Sequence, residues 1–442
     1  MARNQIITGL DIGTNSIKAL VAEKRGTEWE VLSLNTVPSF GLRRGAVVSV
    51  EDTARNVQLL ISNIERSSGK KISSVFVNIG GSHLYTTPSD GLISVSRADH
   101  VISQEDVERV LQATRAINIP LNEEILDVFP REFIIDSQKG IKQPQGLIGV
   151  RLEAKVVLLC YFQSYFINLT QAVLNTKLQI DDIIPSPLAA ARSVLTPQQK
   201  EIGVALIDIG SSTTSLAVFE EGDLIHLAVL PLGSSNITND IAIGLKTEVA
   251  TAEDIKKQYG TCMTSKSEKD VAVISAYSDQ SVKKDSSGKM SASEANDRGR
   301  QDKLAGKKAP VPDKSQPLLF TKKNLVDIIE PRVSEILSLM QKELKSIGRQ
   351  ELLPGGIVLT GGGVKLPKIR ELVKEQLKLP CQIGIPKGIL GLPEDPALAT
   401  VAGLVLTGSD YYSSEQKGLI ALPSFVKGWS SKFRRMFKVF IP

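Results

Sequence analysis

GLDIGTNSIKALV at residues 9–21 and LIDIGSSTTSLAV at residues 206–218 decide the fold, because they are one element written twice. The two stretches align without a gap at an offset of 197 residues, which sets Asp11-Ile12-Gly13 on Asp208-Ile209-Gly210. In each copy an apolar run (residues 5–10 and 204–207) delivers an aspartate at the end of a strand. A glycine and small hydroxyl residues then turn the chain into a second alternating strand. Such a turn aims several backbone N–H groups into one concavity, which suits a polyphosphate. The aspartate beside it suits Mg²⁺, which takes few carboxylates and keeps most of its water. Two such hairpins face to face would clamp a nucleoside triphosphate between two related halves.

A third element follows. Residues 357–364 read IVLTGGGV, an apolar strand running into Gly361, Gly362 and Gly363. Without side chains there, the backbone can approach a flat, bulky ligand closely. A glycine run alone also makes ordinary loops. Two homologous DIG hairpins followed by a strand and TGGG form a far more specific set.

These residues resemble the actin, Hsp70 and sugar-kinase superfamily, and within it the bacterial cell-division FtsA family. The resemblance covers nearly the whole chain: both hairpins, GIKQPQGLIGVRLEAKVVLL (140–159), TAEDIKKQYG (251–260), the glycine strand and DPALATVAGLVL (395–406). Segment 140–159 separates this family from other actin-like proteins, since generic nucleotide binding does not require it. The implied fold is α/β and actin-like: duplicated ribonuclease H-like halves, a nucleotide cleft, an inserted 1C subdomain and a C-terminal amphipathic helix.

The implied cofactors are ATP and Mg²⁺. Asp11 and Asp208 are the candidate metal residues, binding mostly through water, and Asp208 is also the candidate catalytic group. Gly13, Thr14, Asn15 and Ser16 with Gly210, Ser211, Ser212 and Thr213 would surround the phosphates, and Gly361–Gly363 would line base and ribose. In the superfamily a matching Glu and Lys contact the ribose and base, which assigns that role to Glu253 and Lys256. Their spacing alone also fits a solvated helical ion pair. The second hairpin departs from the common DIGGGT, with Ser211 and Ser212 in place of glycines, so slow or absent hydrolysis is expected. Gln171 is a candidate water-orienting residue on position alone.

The resemblance further implies a scaffold: a protein that polymerises with ATP, binds the C-terminal peptide of the tubulin-like FtsZ through subdomain 2B, and meets other division proteins. A PilM-like actin-fold adaptor of a pilus machine is the rival reading and should lack a basic amphipathic tail. An Hsp70-like or sugar-kinase enzyme would need a substrate domain or sugar cleft that this length does not supply.

The chain has 442 residues, enough for more than one core. Its net charge of +5 is misleading, because residues 416–442 hold six Lys or Arg and no acid, leaving the rest at −1. A near-neutral body argues against nucleic-acid binding. Cys160, Cys262 and Cys381 are few and far apart, which suits a reducing cytoplasm. The start MARNQIITGLDIG enters a strand at once and leaves no room for a signal peptide. His83, His100 and His226 show no ligand spacing.

The expected division is subdomain 1A at 1–83, 165–201 and 391–407; 1C at 84–164; 2A at 202–245 and 322–390; and 2B at 246–321. In 1C, Ser103 should cap a helix over 104–118; in 2B, Thr251 should cap another. Residues 278–316 are polar and low in complexity, and read as a disordered loop within 2B. Residues 408–423 read as a linker. After it, at 424–442, Phe425, Trp429, Phe433, Phe437 and Phe440 share one helical face, with Arg434, Arg435 and Lys438 opposite. Too short and charged to span a bilayer, this segment reads as an interfacial anchor for anionic lipids. The expected location is therefore the cytoplasmic face of the cell membrane, at the division site.

Overall fold

The computed structural model describes residues 5–264, 272–275 and 318–417. The 278–316 loop and the 424–442 tail lie outside the described residues. The first half opens with β1 (Ile6–Ile12), β2 (Ser16–Arg25) and β3 (Glu28–Pro38), followed by the short hairpin β4 (Leu42–Arg43) and β5 (Ala46–Val47). Helix α1 (Val50–Ser68) starts where Ser49 accepts the Asp52 N–H and ends at left-handed Gly69. It buries Val57, Leu60, Ile61 and Ile64 at helical spacing. Strand β6 (Ser74–Ile79) returns parallel to β1.

An insert then interrupts the half: β7 (Tyr85–Ser94), α2 (Gln104–Ala113), β8 (Glu123–Ile135), β9 (Gln138–Ile141) and β10 (Arg151–Phe162). It has its own core, built on Ile102, Val110, Phe133, Leu152 and Leu158. Helix α3 (Gln163–Leu174), β11 (Gln179–Pro185), α4 (Ser186–Val194) and α5 (Pro197–Ile202) complete the half, whose sheet runs β11-β6-β1-β2-β3.

The second half repeats the plan. Strands β12 (Val204–Ile209), β13 (Thr214–Glu220) and β14 (Asp223–Leu230) are antiparallel neighbours. Helices α6 (Ser234–Gly244) and α7 (Val249–Tyr259) follow, then the pair β15 (Ala272–Ser275) and β16 (Leu318–Thr321) and the long α8 (Lys322–Ser346). Strand β17 (Ile357–Thr360), α9 (Ile369–Leu377), β18 (Cys381–Ile383) and α10 (Ala399–Lys417) close the chain. The duplication is visible in the ladders. Asp11 pairs with Lys18 and Ile12 with Ile17; 197 residues on, Asp208 pairs with Ser215 and Ile209 with Thr214. Strand β17 lies parallel to β12 as β6 lies parallel to β1.

The insert emerges from the first half and is fastened to the second. The second sheet continues through β14 into β7 at the Ala228–Tyr85 pair, where Thr86 Oγ1 accepts the Leu227 N–H at 2.9 Å. Lys142 adds ion pairs at 2.8 Å to Glu221 and Asp223.

Three local expectations change. Residues 408–417 are not linker but the continuation of α10. Their polar and glycine-containing sequence is held by tertiary contacts: Trp29 Nε1 donates to Ser409 at 2.7 Å, Arg192 Nε and Nη2 grip Asp410 at 2.7 and 3.0 Å, and Tyr411 and Tyr412 meet Phe76 edge-on. Helix α2 starts at its Ser103 capping box but stops at Ala113, where the Thr114 hydroxyl turns back to the Leu111 carbonyl at 2.7 Å. Helix α7 starts at Val249, which leaves Thr251 buried in its first turn rather than capping it.

Helix α10 crosses α4 so closely that a Cβ on Gly403 would lie 1.7 Å from the Ala189 carbonyl oxygen. Gly403→Ala should therefore cost about 3 kcal/mol or more by forcing the helices apart. Denaturant unfolding with an unchanged midpoint would show that this crossing yields freely.

Candidate functional site

The two hairpin tips face one cleft of ≈ 690 Å³. Asp11, Gly13, Thr14, Asn15 and Ser16 line it from the first half; Asp208, Gly210, Ser211, Thr213, Glu253, Gly361 and Gly362 line it from the second. Ser212, Lys256 and Gly363 do not. In each tip the glycine N–H closes the turn, Gly13 onto Ser16 O at 3.2 Å and Gly210 onto Thr213 O at 2.9 Å. Among the described residues, the N–H groups of Thr14, Asn15, Ser211 and Ser212 have no protein acceptor. Three of these donors, on Thr14, Asn15 and Ser211, belong to residues of both tips that line the one cleft, an arrangement that suits a polyphosphate.

The two aspartates are held differently. Asp11 receives Lys18 Nζ at 3.0 Å and Asn78 Nδ2 at 2.9 Å, and Asn78 Oδ1 in turn accepts the Ile12 N–H at 2.6 Å. Asn78 also reaches Ser186 Oγ at 3.0 Å, so β6 and the start of α4 fix the first carboxylate. In the second half the corresponding strand position is Thr360, whose hydroxyl turns away to the Gly384 and Pro396 carbonyls. Ser215 stands where Lys18 stood. The Asp208 carboxylate is left without a hydrogen bond or ion pair among the described residues, although its backbone is paired in the sheet. Its surface is only half-buried because it faces the cleft, yet protein mass surrounds it. That desolvation, helped by the Asp11 charge and opposed by Lys18, pushes its pKa up to about 6. Such a carboxylate is free to take a divalent cation.

Gly361 has φ +89°, and a Cβ on it would lie 2.1 Å from Asp208 Oδ1. This glycine is required by the close approach of β17 to β12, whether or not a ligand is bound. Gly363 packs against Ile209 rather than the cleft. On the α6–α7 side, Glu253 accepts from Thr238 at 2.6 Å and pairs with Lys256 at 2.7 Å. Lys256 is buried and spent on that pair, on Thr238 and on the Ser234 carbonyl at 3.1 Å. On this side of the cleft the lysine that lines the wall is its neighbour, Lys257. Gln171 is exposed on α3 and does not line the cleft, so it orients no water there.

Sequence reasoning passed over Lys18, Asn78, Ser186, Ser234 and Ser235, all on the cleft wall. Lys18 was open to inference, since a two-strand hairpin sets it opposite Asp11. The others depend on strands and helices distant in sequence. No cluster of three or more His, Cys, Asp or Glu able to hold a metal occurs among the described residues, so a cation in this cleft would have to rely on the two aspartates and water.

His83 lies behind the Asn78–Gly80 wall, its ring tilted against Tyr165 with centroids 4.8 Å apart and neither ring nitrogen bonded. Burial pulls its pKa down to about 4. The native state thus refuses a proton that the unfolded chain accepts at the ordinary value. This group's contribution is full above about pH 6.5 and is lost as pH falls towards 4, by about 3 kcal/mol. His83→Leu should flatten that acid limb in pH-dependent unfolding; an unchanged limb would place the loss elsewhere.

A family model described as "Cell division protein FtsA" matches residues 205–403, and one described as "SHS2 domain inserted in FTSA" matches residues 81–160. The Cell division protein FtsA of Pseudomonas aeruginosa is 35% identical, over 96% of this chain and 98% of its own. That of Bacillus subtilis is 34% identical, over 92% and 84%. The chain belongs to the FtsA family of cell-division proteins. Among solved structures, the PilM-PilN type IV pilus biogenesis complex aligns with TM-score 0.60 at 17% identity, covering 91% of this chain and 98% of that one. MreB5 of Spiroplasma citri bound to ADP aligns with TM-score 0.54 at 12% identity, covering 93% and 98%. At such identities these two show the actin-like fold alone. The insert β7–β10 coincides with the match to the SHS2 domain inserted in FtsA, in line with the resemblance of segment 140–159.

Proposed function

We propose that this FtsA-family chain binds ATP with Mg²⁺ in the cleft, polymerises, and ties FtsZ filaments to the cytoplasmic face of the membrane at the division site. The observation that carries the nucleotide reading is the pair of free-donor turns facing one cleft beside Asp208. Residues 13–16 and 210–213 would hold the phosphates. Asp11 and Asp208 would face the cation through water, and Gly362, Glu253 and Lys257 would border ribose and base. ATP, when bound, supplies the charge and length that bridge the two halves. With serines at 211 and 212, turnover is slow or absent, so the nucleotide acts as a structural ligand. The basic amphipathic segment 424–442 supplies the lipid contact, and residues 246–321 supply the surface for the FtsZ C-terminal peptide. Other division proteins assemble on the same scaffold. The pilus-adaptor alternative rests on fold likeness at 17% identity and does not account for the tail.

Reconstitution tests the proposal. FtsZ with GTP, anionic vesicles and the full chain with Mg²⁺·ATP should co-sediment as membrane-bound filaments. FtsZ remaining in solution beside vesicles that carry this chain would end the tethering role.

A further inference from the structure

Ser212 stands where the resemblance leads one to expect glycine, and it has a partner on the opposite half. Its Oγ donates to Thr14 Oγ1 at 2.8 Å, a side-chain bond between residues 198 apart that joins the two hairpin tips. Glycine cannot make this bond. Thr14 Oγ1 also accepts the Gly45 N–H at 2.9 Å. A hydroxyl has two acceptor lone pairs and one proton to donate. With both lone pairs engaged, Thr14 is left with its proton to give, and Thr14 lines the cleft. A phosphate oxygen is an acceptor, so the fixed hydroxyl presents the matching sign.

We propose that Ser212, which does not itself line the cleft, is a positioning residue. It holds Thr14 so that the threonine proton is aimed at the polyphosphate, and it sets the separation of the two tips. This rests on the nucleotide reading above. The replacement of glycine by serine in this hairpin then strengthens phosphate binding rather than crowding it, by adding a contact across the halves that the common DIGGGT sequence lacks.

The test is a double-mutant cycle on the full chain, reading Mg²⁺·ATP affinity by calorimetry, with thermal midpoints as the folding control. Ser212→Ala should weaken binding about three- to ten-fold, the range for one hydrogen bond. In a Thr14→Val background the same change should cost less than about two-fold, because its route to the ligand is gone. Ser212→Thr, which restores a hydroxyl, should recover wild-type affinity. An equal loss in both backgrounds, or no loss in the first, overturns the positioning role while leaving nucleotide binding intact. Wild-type protein that binds no ATP overturns both.

Discussion

Truncation after Pro423 is expected to leave a folded, ATP-binding protein that no longer floats with anionic vesicles. Helix α10 is anchored by contacts that lie before that point, among them the Trp29–Ser409 bond and the edge-on rings of Phe76, Tyr411 and Tyr412. No helix among the described residues is long and apolar enough to cross a membrane. In the proposal above, attachment rests on 424–442, where large aromatics would enter the interface and cations would meet the headgroups. Trp429→Glu or Phe433→Glu should abolish flotation, since each side chain contributes on the order of 2 kcal/mol when buried and the substitution adds a charge. Arg434→Glu with Arg435→Glu should weaken it in a salt-dependent way, because surface charge is screened within about 8 Å at physiological ionic strength. Truncated protein that floats as well as the full chain would remove the anchor from the tail.

Asp208→Ala should lower ATP affinity in Mg²⁺ by at least about ten-fold and change it little in EDTA, because the carboxylate is proposed to face the metal rather than the nucleotide. Asp11→Ala makes a poorer test, since it strands Lys18 and Asn78 and would disturb the hairpin itself. The acidity of Asp208 gives the substitution a pH signature. A metal ligand must be deprotonated, so the Mg²⁺-dependent share of affinity should fall as pH drops through about 6. Folding stability runs the other way: a carboxyl raised above its ordinary value stabilises least when ionised, so its contribution is lost as pH rises through about 6. Asp208→Asn should accordingly unfold at higher denaturant than wild type at pH 8. Equal Mg²⁺-dependent affinity in wild type and Asp208→Ala would move the metal elsewhere.

The hairpins were legible because duplication is a property of the sequence itself. The 197-residue offset foretold two aspartates at strand ends and two turns of free N–H groups, and the matched ladders follow the same offset. Where sequence reasoning failed, packing had overruled local signals. Gly408 and Ser409 carry loop composition, yet Phe76 and Trp29 hold them in a helix. Thr251 looks like a cap, but the Val249 start of α7 turns it inward. Lys256 and Lys257 differ by one residue and hence by about 100° on the helix. That rotation sends Lys256 into a buried ion pair and Lys257 to the cleft. Asn78 and Ser186 escaped because their roles depend on β6 and α4 meeting β1, a tertiary fact without a local signature.

The measurement that bears most directly on the account is a crystal structure of the full chain grown with Mg²⁺ and a non-hydrolysable ATP analogue. Phosphate density is expected between residues 13–16 and 210–213, with a hydrated cation facing Asp208 and the base beside Gly362 and Lys257. A nucleotide bound outside the two hairpins, or a cleft still bridged by protein alone at saturating analogue, would contradict it.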